Sequence, residues 1–205
     1  MAFDDERRKG GLMVAGIDEA GRGPLAGPVV AACAVLPSDF DVLGVDDSKK
    51  LSEKKREELF GKIMEKALAR GVGIADNKLI DDINILQATK KAMKDALAQA
   101  DEQLRERTGR SIDHVLFDAV TIDDVLIPQE NIIKGDATSL SIAAASIIAK
   151  VTRDRMMLEY HLKYPSYGFD SNKGYGTKAH YEGINKFGIT PIHRKTFLKN
   201  LDIDL

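Results

Sequence analysis

Two kinds of apolar pattern alternate along the chain. Residues 11–20 and 27–36 are almost continuous runs of small and branched apolar side chains bounded by glycine or proline, the pattern of mostly buried strands. The link between them, Gly21-Arg22-Gly23-Pro24, has the composition of a turn, so the pair is expected to form a hairpin that opens a sheet. Ser52 followed by Leu59, Ile63 and Leu68 predicts a helix over about 52–70, with Ser52 as N-cap and Gly71 beyond its end. A short strand is expected over 72–75. Leu86, Met93, Leu97, Ala100 and Leu104 then recur at 3/4 spacing and predict a second helix over about 86–107, with Gly109 past its end. Residues 112–119 return to strand, and 131–134 are a further candidate. From 139 to about 160 runs a long helix whose first half, Ile142 to Ala149, is apolar almost all round and belongs in an interior. A loop rich in Tyr, Gly and Lys over 164–177 and a short helix to about 187 complete the pattern. Strands followed by alternating helix and strand predict a single α/β domain over 1–205, a mixed sheet flanked by helices. Its small helical C-terminal part spans about 160–205.

Composition narrows the class. With 205 residues, 43% hydrophobic and 30% charged, the chain matches an ordinary globular domain and not a disordered one. No apolar run approaches the roughly 18 to 20 residues a membrane helix needs. The N-terminus is charged through Asp4, Asp5, Glu6, Arg7, Arg8 and Lys9 where a secretion signal would be apolar. The single cysteine, Cys33, has no internal partner and lies in an apolar run, so it reads as a small buried hydrophobe in a reducing cytoplasm. The net charge of −2 hides an asymmetry: residues 1–144 hold 20 Lys+Arg against 26 Asp+Glu, and residues 145–205 hold 10 against 6. The last quarter can therefore present a local basic face, although an ordinary solvated surface accounts for the charge equally well.

The acids fall in a suggestive order. Asp18 and Glu19 close the first strand, Asp118 closes the strand that begins at His114, and Asp136 precedes the apolar helix. Neighbouring strand side chains face opposite ways, so Asp18 and Glu19 serve one site only where the strand ends or bends. Carboxylates beside core strands are costly unless exposed, paired or bound to metal. Oxygen donors without thiolates suit hard ions such as Mg²⁺ or Mn²⁺ and argue against zinc. Taken singly, a strand-end aspartate more often caps a turn. The pairs Asp46-Asp47, Asp81-Asp82 and Asp123-Asp124 read as solvated loops. A phosphate-binding loop is the rival reading of Gly21 to Gly27, but its glycine spacing is one residue too long, a strand follows it, and two acids precede it.

Asp18-Glu19-Ala20-Gly21-Arg22-Gly23-Pro24-Leu25-Ala26-Gly27-Pro28-Val29 and Asp47-Ser48-Lys49-Lys50-Leu51 resemble the opening of ribonuclease HII. Lys134-Gly135-Asp136, the segment Ala143 to Asp154, Lys173-Gly174-Tyr175-Gly176-Thr177-Lys178-Ala179-His180 and Pro191-Ile192-His193-Arg194 continue the resemblance in the family's order, with bacterial more than archaeal wording. It implies a ribonuclease H-like fold and an endonuclease of the RNA strand in RNA/DNA hybrids. It also implies nicking 5′ of single ribonucleotides in duplex DNA, leaving 3′-hydroxyl and 5′-phosphate ends. Asp18, Glu19, Asp118 and Asp136 would hold two divalent ions, Mg²⁺ or Mn²⁺; where the family usually has glycine after the third acid, this chain has Ala119. Gly21, Arg22, Gly23 and Tyr175 would read the ribonucleotide, since glycines let backbone groups reach a 2′-hydroxyl and a tyrosine can stack on sugar or base. Without the resemblance, Arg22 reads as a surface ion-pair partner and Tyr175 as loop packing.

Lys49, Lys150, Lys173, Lys178, His180, His193, Arg194 and Lys195 are candidate phosphate contacts. Lys150 has the alternative of pairing with an active-site carboxylate. Asp154 reads as a helix-surface partner of Arg153 or Arg155 and stays outside the metal set. The expected partners are RNA/DNA hybrid and ribonucleotide-containing DNA duplex, bound by a monomer without membrane association. The tail from Leu198 to Leu205 resembles no sliding-clamp binding motif. A hybrid-binding module without activity and a dinucleotide-dependent enzyme are the rivals, both disfavoured by the four acids.

Overall fold

The computed structural model describes residues 2–41, 44–45, 51–118 and 120–199. Five strands form one sheet: β1 (Val14–Ala20), β2 (Val29–Val35), β3 (Ala69–Ala75), β4 (His114–Asp118) and β5 (Gln129–Ile132), in the spatial order β3-β2-β1-β4-β5. β1 pairs antiparallel with β2, and β2 with β3, whereas β1–β4 and β4–β5 are parallel. The sheet is therefore mixed, and the expected opening hairpin is present. The helices are α1 (Ala2–Arg7), α2 (Glu53–Lys66), α3 (Asn77–Thr108), α4 (Gly135–Thr138), α5 (Leu140–Lys163), α6 (Phe169–Asn172) and α7 (Lys178–Phe187), with short 3₁₀ turns at Pro165–Tyr167 and Lys195–Phe197.

The alternation of side chains along β2 sorts the core into two layers. Val29, Ala31, Cys33 and Val35 face α3, beside Ala92, Met93, Ala96 and Leu104. Ala32 and Ala34 face the opposite way, toward α2 and the apolar half of α5 through Leu59, Ile63, Ala144 and Ile148. Period-2 burial on both faces explains why β2 reads as a continuous apolar run. Cys33 is fully buried, and burial pushes its thiol pKa up. Gly16 seats the other helix. A Cβ there would lie 2.1 Å from the backbone carbon of Ser141, so the first turn of α5 rests directly on β1.

Several boundaries differ from the sequence pattern. The helix expected over 52–70 is capped by Ser52, whose side chain accepts from the Lys55 amide, but it ends at Lys66. Ala67 is already extended, and the Leu68 amide donates to the Val35 carbonyl. The pull of β2 overrides the 3/4 spacing of Leu68, a tertiary effect invisible to local periodicity. The second helix starts earlier than predicted, at Asn77 behind an Asp76 N-cap. It breaks at Asn84 (φ 67, ψ 164), whose Oδ1 accepts from the Leu86 and Gln87 amides and restarts the helix. The long helix begins behind Ser139, which serves as its N-cap, and runs on to Lys163. The loop expected over 164–177 contains α6.

α1 has no counterpart in the periodicity argument. It is a clamp: the buried Asp4 Oδ2 accepts from the Ser141 amide at 2.9 Å and its hydroxyl at 2.7 Å, at the start of α5. Arg7 reaches Glu130 of β5 through Nε at 2.8 Å and Nη2 at 2.5 Å. Asp4→Ala leaves buried donors unpaired and is expected to cost about 1 to 3 kcal/mol. Urea unfolding checks this, and a midpoint equal to that of the parent would show that the clamp adds nothing.

Candidate active site

β1 delivers Asp18 and Glu19 to the rim of the sheet, and the chain then turns away at Gly21, which has φ +95°. Its parallel neighbour β4 delivers Asp118 to the same rim. All three carboxylates line one cleft of about 480 Å³, together with Arg22, Gly23, Tyr175, Arg56 and Lys150. Ser146 of α5 lines it too. Asp136 lies in the first turn of α4, only 5% exposed and outside the cleft lining. Its neighbour Gly135 ties that turn to the site, donating its amide to Asp118 Oδ1 at 3.2 Å.

Burial dominates the electrostatics. It lifts the Asp18 pKa from the usual carboxylate range to about 7, aided by the charges of Glu19 and Asp118 and opposed by hydrogen bonds from Ser146 and the Glu19 amide. That amide donates to Asp18 Oδ1 at 2.8 Å. Burial also raises Glu19, against the pull of the Arg22 guanidinium, which donates to Glu19 Oε1 at 3.2 Å. Glu19 Oε2 is buried with no hydrogen-bond partner among the described residues. Two buried, mutually repelling carboxylates and an orphaned oxygen form a site that a cation would stabilise. The donors are all oxygen, which fits a hard divalent ion. Among the described residues, no group of three or more His, Cys, Asp or Glu side chains is already arranged around a single ion position.

The Gly21–Pro28 loop beside the acids is held by two buried arginines. Arg194 donates from Nε to the Gly27 carbonyl at 2.9 Å, from Nη1 to Arg22 at 2.9 Å and from Nη2 to Gly21 at 2.6 Å. Arg153 donates to the carbonyls of Pro28 (2.9 Å), Lys173 (2.9 Å) and Ala26 (3.2 Å). Burial brings their pKa values down, to about 9 for Arg194 and about 10 for Arg153. Gly21 leaves the space for this: a Cβ there would stand 2.0 Å from Arg153 Nε. Tyr175 is half exposed, and its ring edge lies 3.4 Å from the position a Cβ on Gly23 would take.

Three of the expected phosphate contacts are thereby corrected. Arg194 is fully buried and spends its three donor positions on backbone carbonyls. His180 is also fully buried, and its ring nitrogens face the Tyr175 carbonyl and His193. His193, the other histidine proposed for that role, is buried with it. A cationic or polar side chain suggests solvent, but carbonyls converging from two loops make the interior the better solvated place for these groups. Lys173 stands outside the cleft lining, its Nζ on the Asp170 carbonyl and 3.9 Å from Glu53. Lys178 is 91% exposed beside Glu182, also away from the lining. Lys49 lies outside the described residues. Lys150 does line the cleft, and its partner is Asp154, at 2.5 and 2.8 Å, one helical turn further along α5. Arg155 pairs with Glu57 of α2. Arg56 was missed by the motif reading. It reaches the cleft from α2, and its only sequence signal is its place one turn after the Ser52 cap.

With this geometry in view, comparison with known proteins is decisive. The family model described as Ribonuclease HII matches residues 15–200. The chain belongs to the ribonuclease HII family. It is accordingly a metal-dependent ribonuclease H, a hydrolase. A ribonuclease HII from Ruminiclostridium cellulolyticum is 57% identical over 187 residues, 91% of this chain and 70% of that protein. The fold is similar to that of ribonuclease H2 from Pyrococcus horikoshii OT3, with TM-score 0.74 and 28% identity over 90% of this chain and 93% of that one. It is similar also to the ribonuclease HII solved in complex with PCNA from Archaeoglobus fulgidus, with TM-score 0.71 and 27% identity over 94% of this chain and 97% of that one. Among the described residues of the chain, no helix is long and apolar enough to cross a membrane.

Proposed function

We propose that this ribonuclease HII hydrolyses the RNA strand of RNA/DNA hybrids and nicks DNA 5′ of single embedded ribonucleotides, leaving 3′-hydroxyl and 5′-phosphate ends. The observation that carries the reading is the cleft itself, which Asp18, Glu19 and Asp118 line together with Gly23 and Tyr175. Asp18, Glu19 and Asp118, with Asp136 from the adjoining turn, would hold the divalent ions, Mg²⁺ or Mn²⁺. Two such ions would supply water activation and stabilisation of the leaving oxygen. The chain's own residues do the rest. The acids hold negative charge at the rim until cations neutralise it, while Arg22, Arg56 and Lys150 offer positive charge to the backbone phosphates. The Gly21–Gly23 backbone can approach a 2′-hydroxyl closely, and the Tyr175 ring can stack on the sugar or base beside it. The enzyme is read as a cytoplasmic monomer with a single catalytic domain, whose residues from about 160 onward hold the substrate.

The test uses a labelled DNA duplex with one internal ribonucleotide and a uniform RNA/DNA hybrid, each with and without Mg²⁺ or Mn²⁺. Metal-dependent nicking on the 5′ side of the ribonucleotide supports the whole reading. Binding of both substrates without cleavage under either ion would favour a hybrid-binding module. Tyr175→Ala separates the ribonucleotide reader from the metal site. Loss of stacking worth about 1 to 3 kcal/mol is expected to slow nicking at the single ribonucleotide roughly 5- to 150-fold, more than it slows cleavage of the hybrid. Equal losses on the two substrates would remove Tyr175 from ribonucleotide selection.

A further inference from the structure

His180 and His193 occupy the interior of the C-terminal part, 0% and 1% exposed, and no step proposed above uses them. Their proton positions follow from the donors around them. The Thr190 amide donates to His193 Nδ1 at 2.8 Å, and the Thr190 hydroxyl, which can also donate, stands 2.8 Å from the same nitrogen. A backbone amide can only donate, so Nδ1 carries no proton and the neutral ring carries it on Nε2. That nitrogen stands 3.0 Å from His180 Nε2, which must accept. The His180 proton is therefore on Nδ1, 2.9 Å from the Tyr175 carbonyl oxygen. Each link forces the next, from Thr190 to Tyr175.

The surroundings favour the neutral pair. Tyr167 and Phe169 enclose the rings, with Phe169 edge-on to His180 at 5.1 Å and Tyr167 near His193 at 5.4 Å. Burial first, and then the charge of His180, bring His193 down to about 4. Burial likewise lowers His180, against the hydrogen bond with Tyr175. The output of the chain is a grip on one residue. The Tyr175 carbonyl accepts from His180 and from the Thr177 amide at 2.8 Å, while the preceding Gly174 carbonyl accepts from Leu25 at 2.8 Å. The same histidine segment holds the facing loop, because Arg194 follows His193 and binds the carbonyls of Gly21 and Arg22.

We propose that His180 and His193 are positioning residues for ribonucleotide selection, a directed pair that fixes the Tyr175 backbone and thereby seats its ring opposite Gly23. The proposal rests on the reading of Gly23 and Tyr175 as the ribonucleotide contact. Orientation of a bound group is expressed in the rate, and a misplacement of about 1 Å can cost on the order of a hundredfold. Two substitutions at one position separate positioning from bulk. Asn places its amide nitrogen where Nδ1 stands and can still donate to Tyr175, whereas Gln places its amide near the distal nitrogen and abandons Tyr175 for His193. His180→Gln is expected to lower kcat about tenfold on the single-ribonucleotide duplex with KM nearly unchanged, and to lower it less on a uniform hybrid. His180→Asn is expected to stay within about threefold of the parent on both.

Equal losses in the two variants would reduce the pair to packing and overturn the proposal, as would two variants with parental kinetics. A second measurement needs no variant. Long-range ¹⁵N–¹H correlation of the imidazoles in the parent protein should show His180 protonated on Nδ1 and His193 on Nε2. The opposite tautomers, or a charged ring at neutral pH, would overturn the directed pair even if both variants failed to fold. If the parent enzyme does not nick the single-ribonucleotide duplex, the ribonucleotide reading itself falls, and the tautomer experiment still reports on the pair.

Discussion

Asp18→Asn is expected to abolish hydrolysis and, at the same time, to raise the melting temperature of the metal-free protein at pH 8. Both results follow from one buried carboxylate. An Asn keeps the shape and can still accept from the Glu19 amide, but it supplies no charge to a cation. Losing about 4 kcal/mol of transition-state charge stabilisation corresponds to about a thousandfold in kcat. The stability effect has the opposite sign. Burial, with the nearby charges of Glu19 and Asp118, raises the Asp18 pKa from 3.8 to about 7. The native state therefore favours the protonated carboxyl. Its contribution to stability is complete below about pH 4, declines as pH rises toward 7, and is lost above that, a swing of at most about 4 kcal/mol. Thermal melts in chelator at pH 5.5 and pH 8 measure it. The parent should melt lower at pH 8, the variant should show a flatter profile, and Mn²⁺ should restore the parent alone. A parent profile that is flat in chelator, or a variant that still cleaves, would refute the assignment of Asp18.

The second large effect is expected from Gly16→Ala, which adds one carbon where the chain has no room. That carbon would sit 2.1 Å from Ser141 C, 2.2 Å from Ile142 N and 2.5 Å from Ser141 O, all backbone atoms of one helix start. No side chain can rotate away, so α5 must lift from β1 or the strand must bow. Overpacking of this kind costs on the order of 3 kcal/mol or more. The same helix carries Ser146 and Lys150 to the cleft, so the molecules that remain folded should also cleave poorly. Urea unfolding followed by an activity assay in native buffer reads both effects. Parental stability in the variant would show that the contact between β1 and α5 can relax without penalty.

How far the pattern of residues revealed this depended on where the determining force lay. The strands β1 and β2 were legible because they are buried on both faces, and their apolar runs say so directly. Asp18, Glu19 and Asp118 were legible as strand-end acids, since carboxylates next to core strands need a reason. Leu68 misled because its helical spacing is outweighed by a strand pairing with Val35, a contact between segments far apart in sequence. Asn84 was silent because its break depends on a positive φ and a local cap, and not on hydrophobicity. Arg194 and His180 misled most. Their side chains suggest a surface, and only the converging carbonyls of Gly21, Arg22, Gly27 and Tyr175 show that they point inward.

The two arginine staples have a consequence for how the enzyme is made. Arg153 holds Pro28 across 125 residues of chain, and Arg194 holds Gly21 across 173. During synthesis, Asp18, Glu19 and the Gly21–Gly23 loop are made early, but the side chain that fixes that loop follows 173 residues later. At roughly 5 to 20 residues per second, the interval is on the order of 10 to 30 seconds. Throughout it the nascent chain carries Asp18 and Glu19 beside a loop that still lacks its Arg194 anchor. The first strand and its turn thus wait on a residue made long after them before the loop takes its final shape.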